Sequence, residues 1–233
     1  MMKKLVYLFG LLSLWMVTSV SAQSLKSQDA TAEDYLPLLQ ASGYQVYSFD
    51  ISEFLDDTYY FKFQIKEYEN KEEVQGNFRT MTFPNRTMIS EFPEDSQKRI
   101  LEKGTAVDSE KGVYTHARKM TIGFMPSKTD STKSLRINME GMGEQVLGLK
   151  LKPLKDPKTD KQVYFYESRP ITIDKFEEGN FIPLVFFASF WLDGEYGFFR
   201  FCGAMEISPT LESDYVEDTP HYYVIGVEIH KKK

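Results

Sequence analysis

Apolar and polar residues alternate with a period of two through much of the chain. Tyr59, Phe61, Phe63 and Ile65 alternate with Tyr60, Lys62, Gln64 and Lys66, and Leu135, Ile137 and Met139 alternate with Arg136 and Asn138. Leu147, Leu149 and Leu151 interleave with Gly148, Lys150 and Lys152, and Tyr223, Ile225, Val227 and Ile229 close the chain in the same rhythm. A period of two lines one face of a strand with apolar side chains and leaves the other wet, so each segment predicts a half-buried strand. Further strands are predicted over Tyr44–Asp50, Phe78–Phe83, Val113–Phe124, Gln162–Glu167 and Ile171–Asp174. With the aromatic segment Phe181–Cys202, the count reaches about ten, and one-sided strands favour antiparallel pairing.

Helical signals are few. Glu94–Lys103 follows Pro93, begins with acids, ends on a lysine and meets Gly104 where a C-terminal cap belongs. Asp34–Ala41 contains Pro37, which shortens any helix there. No helices are interleaved between the strands, so parallel βαβ units are not expected. The predicted fold is all-β and mainly antiparallel: a β-sandwich of about ten strands with one or two short helices, a closed β-barrel being the alternative.

The first 22 residues change the arithmetic of the rest. Lys3 and Lys4 precede an apolar run, Leu5–Val17, and Val20-Ser21-Ala22 puts small side chains before Gln23. This is the pattern of a cleaved secretory signal, and the run is short of the ~20 residues a bilayer span needs. Position 23 is glutamine rather than the cysteine a bacterial lipoprotein would carry. The expectation is a soluble protein exported to the periplasm or beyond, with residues 23–233 forming one β-sandwich domain and no membrane span. Removing 22 residues, two lysines among them and no acid, takes the net charge from −6 to −8. An acidic domain is a poor partner for nucleic acid, whose phosphates demand clustered Lys and Arg. The lysines at 231–233 read as a solvated tail. The single cysteine, Cys202, excludes an intramolecular disulfide and reads as a small buried hydrophobe.

Phe181–Cys202, FIPLVFFASFWLDGEYGFFRFC, is the most distinctive segment. Asp193-Gly194 predicts a two-residue hairpin loop, which would pair Leu192 with Glu195. Trp191 then lies opposite Tyr196, Ser189 opposite Phe198 and Phe187 opposite Arg200. Trp191, Tyr196 and Arg200 combine flat rings with polar tips, a surface suited to stacking a sugar or gripping a peptide. They are the candidate ligand-binding residues, against the reading that both hairpin faces are simply core.

Catalytic patterns are absent. His116, His221 and His230 stand in no HExxH and share no short ligand spacing, so no metal site and no cofactor are predicted. Gly141-Met142-Gly143 lacks the third glycine of a dinucleotide loop and reads as a turn. A glycosidase needs two carboxyl groups flanking its substrate, and Asp193 with Glu195 is the pair bordering the aromatic hairpin. Glu212, Asp214, Glu217 and Asp218 form an acidic loop without the order of a calcium loop. Asn85-Arg86-Thr87 fits an N-glycosylation acceptor in a eukaryotic secretory route.

The Val20-Ser21-Ala22-Gln23 signal end, the single cysteine and the stretch SFWLDGEYGFFRFCG resemble the exported all-β proteins of unknown function found in Bacteroidota. The resemblance implies a cell-envelope or secreted setting and no site residue. Three functions compete: a non-enzymatic binding module that recognises a glycan or an envelope protein through aromatic side chains, a small carboxylate-dependent glycan hydrolase, and a structural subunit that docks through an exposed sheet edge.

Overall fold

The computed structural model describes residues 29–74, 80–173, 175–201, 206–212 and 214–232, without the side chains of Asp214 and Tyr215. The chain divides into two compact units, Met1–Leu36 and Pro37–Lys233. Helix α1, Ala32–Ala41, begins in the first, where the Asp34 carboxylate accepts the Thr31 N–H at 2.7 Å. The strands all belong to the second. Residues 1–22, expected to be a secretory signal, and Cys202 lie outside the described residues.

Two antiparallel sheets face each other. The first runs β1–β7–β8–β9, with β1 at Gln45–Asp50, β7 at Lys119–Met125, β8 at Thr132–Met139 and β9 at Gly143–Lys150. The second contains β2 (Tyr59–Glu69), β3 (Glu72–Val74), β4 (Met81–Pro84), β12 (Tyr166–Pro170), β13 (Phe181–Ser189) and β16 (His221–Lys231). Its order is β12–β13–β16–β2–β3, with β4 on the same edge of β2. These four-stranded and six-stranded sheets hold ten strands, near the number expected though not the same set, since β3 is not among those predicted, and no described sheet closes into a barrel. Three short ribbons surround them: β5 (Arg86–Met88) with β6 (Val113–His116), β10 (Leu154–Lys155) with β11 (Gln162–Val163), and β14 (Trp191–Asp193) with β15 (Phe198–Arg200). Helix α2, Glu94–Glu102, follows Pro93 and ends before Gly104 at φ +61°, as its capping residues predict. A single turn, α3, spans Asp214–Glu217. Among the described residues no helix is long and apolar enough to cross a membrane.

The main core fills the space between the sheets. Phe61, Phe63 and Ile65 of β2, Ile122 and Phe124 of β7, Leu135, Ile137 and Met139 of β8, and Tyr223, Ile225 and Val227 of β16 are all buried in it. Phe124 stacks on Phe187 of β13 with centroids 4.6 Å apart, joining the two sheets at their middle. Burying each such side chain contributes roughly 1.5–3 kcal/mol, so this layer is the main source of stability.

Strands β13 and β16 are buried on both faces. Their other rows, Phe186, Ala188, Tyr222 and Val224, form a second apolar cluster with Ile171, Ile207 and Val216, against which Trp191, Phe201 and Leu211 pack. A polypeptide cover therefore replaces solvent on the outside of this sheet. That explains why residues 181–189 read as a continuous apolar run instead of an alternation.

Three predicted strands differ in detail. Val113–Phe124 breaks between β6 and β7, because the Ala117 N–H turns to Asn85 O at 2.7 Å. Gln162–Glu167 breaks at Tyr164 and Phe165, between β11 and β12. Ile171–Asp174 forms no strand among the described residues: Ile171 makes one parallel bridge, to Ile207, and donates to Leu184 O at 2.9 Å.

The close contact of β13 and β16 is tightest at Gly226. It faces Pro183, next to a register shift that accommodates a residue without an N–H, and an added Cβ would lie 2.4 Å from Ile182 O and 2.5 Å from the Phe181 ring. Gly226→Ala should therefore destabilise the protein by ~1–3 kcal/mol through overpacking. Gly148→Ala on β9, where a Cβ meets nothing within 4 Å, should leave thermal unfolding nearly unchanged. Equal melting temperatures for the two variants would refute this packing.

Candidate functional site

The aromatic hairpin is real but its register is not the expected one. Trp191 pairs with Arg200, Leu192 with Phe199 and Asp193 with Phe198, which leaves a four-residue loop, Gly194–Gly197. The Asp193 carboxylate decides this. Its Oδ1 accepts the N–H groups of Glu195 at 3.0 Å and Tyr196 at 3.1 Å, and its Oδ2 accepts from Arg200 Nη1 at 2.7 Å. Two successive N–H groups can meet one carboxylate only when the chain bends right-handed after the aspartate. The positive φ then falls on Gly197, at +66°, whose N–H closes the loop onto Asp193 O at 2.8 Å. Strand β13 continues neither arm: it pairs with β12 and β16, so Ser189 and Phe187 face neither Phe198 nor Arg200.

This register separates the candidate ligand-binding residues. Trp191 is half-buried against the second apolar cluster. Tyr196 stands at the loop, 64% exposed, and Arg200 is held between Asp193 and the Phe198 ring, 5.7 Å from its centroid. Residues not singled out by sequence are also exposed: Phe198 (48%) on the ribbon face of Trp191 and Arg200, and Leu192 (41%) with Phe165 (43%), from outside the hairpin, on the opposite face beside Phe199. Tyr196 and Phe198 lie 6.0 Å apart at 39°, and Phe165 packs edge-on against Phe199 at 5.2 Å. Of the acid pair, Glu195 is exposed in the loop, whereas both oxygens of Asp193 are engaged in building the turn.

A second polar constellation sits at the end of the inter-sheet core, and nothing in its sequence spacing announces it. Pairing of β16 with β2 sets His221 opposite Glu69 and Tyr223 opposite Glu67. Pairing of β12 with β13 sets Tyr166 opposite Ser189. His221 is 2% exposed; its Nε2 lies 3.0 Å from Glu67 Oε1 and its Nδ1 lies 2.5 Å from the Tyr166 hydroxyl. The Lys152 N–H donates to that hydroxyl at 3.0 Å, and the Lys152 ammonium pairs with Glu69 at 2.7 Å. Tyr223 donates to Lys150 O at 2.7 Å, with Glu67 Oε1 3.1 Å away. One assignment satisfies these contacts: His221 is neutral with its proton on Nε2, donated to Glu67, and accepts the Tyr166 proton on Nδ1. Burial, opposed by Glu67, lowers the His221 pKa from its ordinary value, and burial raises those of Tyr166 and Tyr223. Glu67, Glu69 and His221 offer donor atoms within 4.8 Å of one another, the one such group of three among the described residues. On its other side Tyr166 lines an open groove of about 410 Å³ with Ser127, Thr132, Lys133, Leu151 and Tyr164.

The remaining candidates have structural occupations. His116 accepts from Arg118 Nε at 3.0 Å, and His230 lies 3.2 Å from Glu228, at the opposite end of β16 from His221. Asn85 is fully buried, accepting the Tyr59 N–H at 2.8 Å and donating to Asp57 O at 2.9 Å. An asparagine so enclosed presents no amide for glycosylation. Gly141 and Gly143, at φ +70° and +136°, form the expected turn between β8 and β9. In the acidic loop, Glu217 pairs with Lys71 at 3.2 Å. In the terminal tail, Lys231 pairs with Asp57 and Lys232 with Glu91.

The lowered His221 pKa has a stability consequence. The unfolded histidine binds its proton near pH 6.5 and the folded one only at lower pH. Stability from this group is thus complete above pH ~6.5 and is lost as pH falls toward the folded pKa. Glu69, whose pKa is lowered by its Lys152 partner, has the same sign but acts below its ordinary 4.5. Melting temperature should therefore decline between pH 6.5 and 5, before the carboxylates titrate, and His221→Gln should flatten that limb. An identical slope in the variant would show that His221 is not the group responsible.

Residues 14–231 match the family described as a domain of unknown function (DUF5041). No curated protein and no solved structure matches the chain.

Proposed function

The chain belongs to the DUF5041 family, a domain of unknown function, and from that premise we propose that it is an exported binding module of the cell envelope that holds a glycan at the tip of the β14–β15 hairpin. Export is supported by the Lys3-Lys4, Leu5–Val17 and Val20-Ser21-Ala22 pattern. The observation that carries the binding reading is the exposure of the adjacent Tyr196 and Phe198 rings on a hairpin whose root is anchored by Trp191. Rings on a short, cross-braced hairpin lose little entropy on binding, which makes them effective contact surface.

The size of the tip favours a glycan over a protein partner. Strands of three residues present far less than the ~800 Å² per partner of a stable protein interface. Two adjacent rings do suffice to stack neighbouring pyranoses through their C–H faces. Arg200, Glu195 and the Tyr196 hydroxyl stand at the same tip for hydroxyl groups at the sugar edges. A hydrolytic reading would need a carboxylic acid kept protonated by an apolar surrounding. Asp193 has a guanidinium and two N–H groups on its oxygens instead.

Removal of the signal leaves Trp191 as the only tryptophan, Trp15 going with the leader. It pairs with Arg200, so its fluorescence should report ligand at the tip. Cellohexaose and chitohexaose are suitable probes, with equatorial linkages that present flat C–H faces. One of them should change the Trp191 emission saturably, and Tyr196→Ala with Phe198→Ala should weaken binding at least tenfold, about 1.4 kcal/mol, without altering the melting curve. Binding unaffected by the double variant, or no binding of any envelope glycan, would overturn the reading.

A further inference from the structure

We infer that Glu67, Glu69 and His221 form a binding site for a divalent first-row transition ion, with Zn²⁺ as its test ion. The site lies at the end of the sandwich core and is independent of the hairpin.

The donor set suits such an ion. One imidazole and two carboxylates from adjacent strands give three protein ligands and leave a position open, the arrangement in which zinc sites keep a water. The imidazole argues against calcium and magnesium, which take oxygen ligands. All three donor atoms lie within 4.8 Å of one another. Ligands bonded at ~2.0–2.2 Å in a tetrahedral site lie about 3.3–3.6 Å apart; His221 Nε2 and Glu67 Oε1, at 3.0 Å, are already that close, so closure needs a movement of Glu69. Glu69 can move, because its side chain is 39% exposed and held only by the half-exposed Lys152 ammonium. The ion takes the place of that ammonium, which moves into water.

A second observation points to the same site. The Ser189 hydroxyl is buried, 1% exposed, within reach of the Tyr166 hydroxyl, and makes no well-formed hydrogen bond. It lies opposite Tyr166 on β12, and next to the antiparallel pair Ala188–Tyr222, Ser189 following Ala188 and His221 preceding Tyr222. Without a metal, the Tyr166 proton is donated to His221 Nδ1, so Tyr166 can only accept, weakly, from Ser189. An ion on Nε2 requires the imidazole proton on Nδ1, so His221 donates to the Tyr166 oxygen, as metal-ligating histidines donate their second N–H. The Tyr166 proton is then free to turn to Ser189 Oγ. No proton is gained or lost: the imidazole changes tautomer, one phenol rotates, and the buried Ser189 hydroxyl gains a donor.

The test is Zn²⁺ titration of the full chain by calorimetry, after stripping with a chelator. One equivalent is expected to bind. Glu69→Gln and His221→Gln should each weaken binding at least tenfold, Lys152→Met should tighten it several-fold, and Cys202→Ser should leave it unchanged. Residues 69 and 152 are solvent-accessible, so these two variants test the site even where His221→Gln compromises folding. The ¹⁵N spectrum of the imidazoles supplies a readout beyond affinity: Zn²⁺ should move the His221 proton from Nε2 to Nδ1. Absence of binding below 100 µM, or binding insensitive to both Glu69→Gln and Lys152→Met, would overturn the assignment.

Discussion

The burial of β13 and β16 on both faces is the constraint from which the rest of the molecule follows. Tyr223, Ile225 and Val227 face the other sheet, while Tyr222 and Val224 face the cover formed around Ile207 and Val216. Apart from the end of β16 at Glu228–Lys231, neither strand has a wet side, so their backbone groups must be paired by neighbours: β12 and β2 supply these across the sheet. Tolerance at their contact is small. Gly226 has room for no side chain, and Pro183 opposite it is accommodated at a register shift.

The two polar features arise at the ends of this pair. At the end of β13 the chain turns out of the sheet at Phe190, and residues 191–200 form a ribbon fastened at its root and exposed at its loop. At the start of β16 the alternation that puts Tyr223 and Ile225 in the core also puts His221 there. A buried imidazole needs partners on both nitrogens, and Glu67 and Tyr166 provide them. Both places combine rigid support with access to solvent, which is what a binding site requires.

Much of the framework was legible in the sequence, and the misses have definite causes. The period-2 rows of Phe61–Ile65, Leu135–Met139 and Tyr223–Ile229 report strands because one face of each is core. Pro93 and Gly104 bound α2 by local chemistry alone. The hairpin register was misjudged because Asp193-Gly194 suits two loops, and the carboxylate cap with Gly197 three residues later selects the longer one. Ile171–Asp174 has strand-like residues, but the cover over β13 and β16 takes Ile171 into an isolated bridge. The Glu67–Glu69–His221 group was invisible for a different reason. His221 is 154 residues from Glu67 in sequence and meets the two glutamates only through the β2–β16 register, which no local pattern encodes.

The claim that function resides at the hairpin tip, with the sandwich as a rigid support, is tested most directly by mapping amide hydrogen exchange along the full chain with and without saturating oligosaccharide. Amides of β13 and β16 should exchange slowest in both states, and ligand-dependent protection should fall on residues 191–200. Protection that spares the hairpin and falls instead on the groove around Ser127, Thr132 and Tyr164 would contradict it.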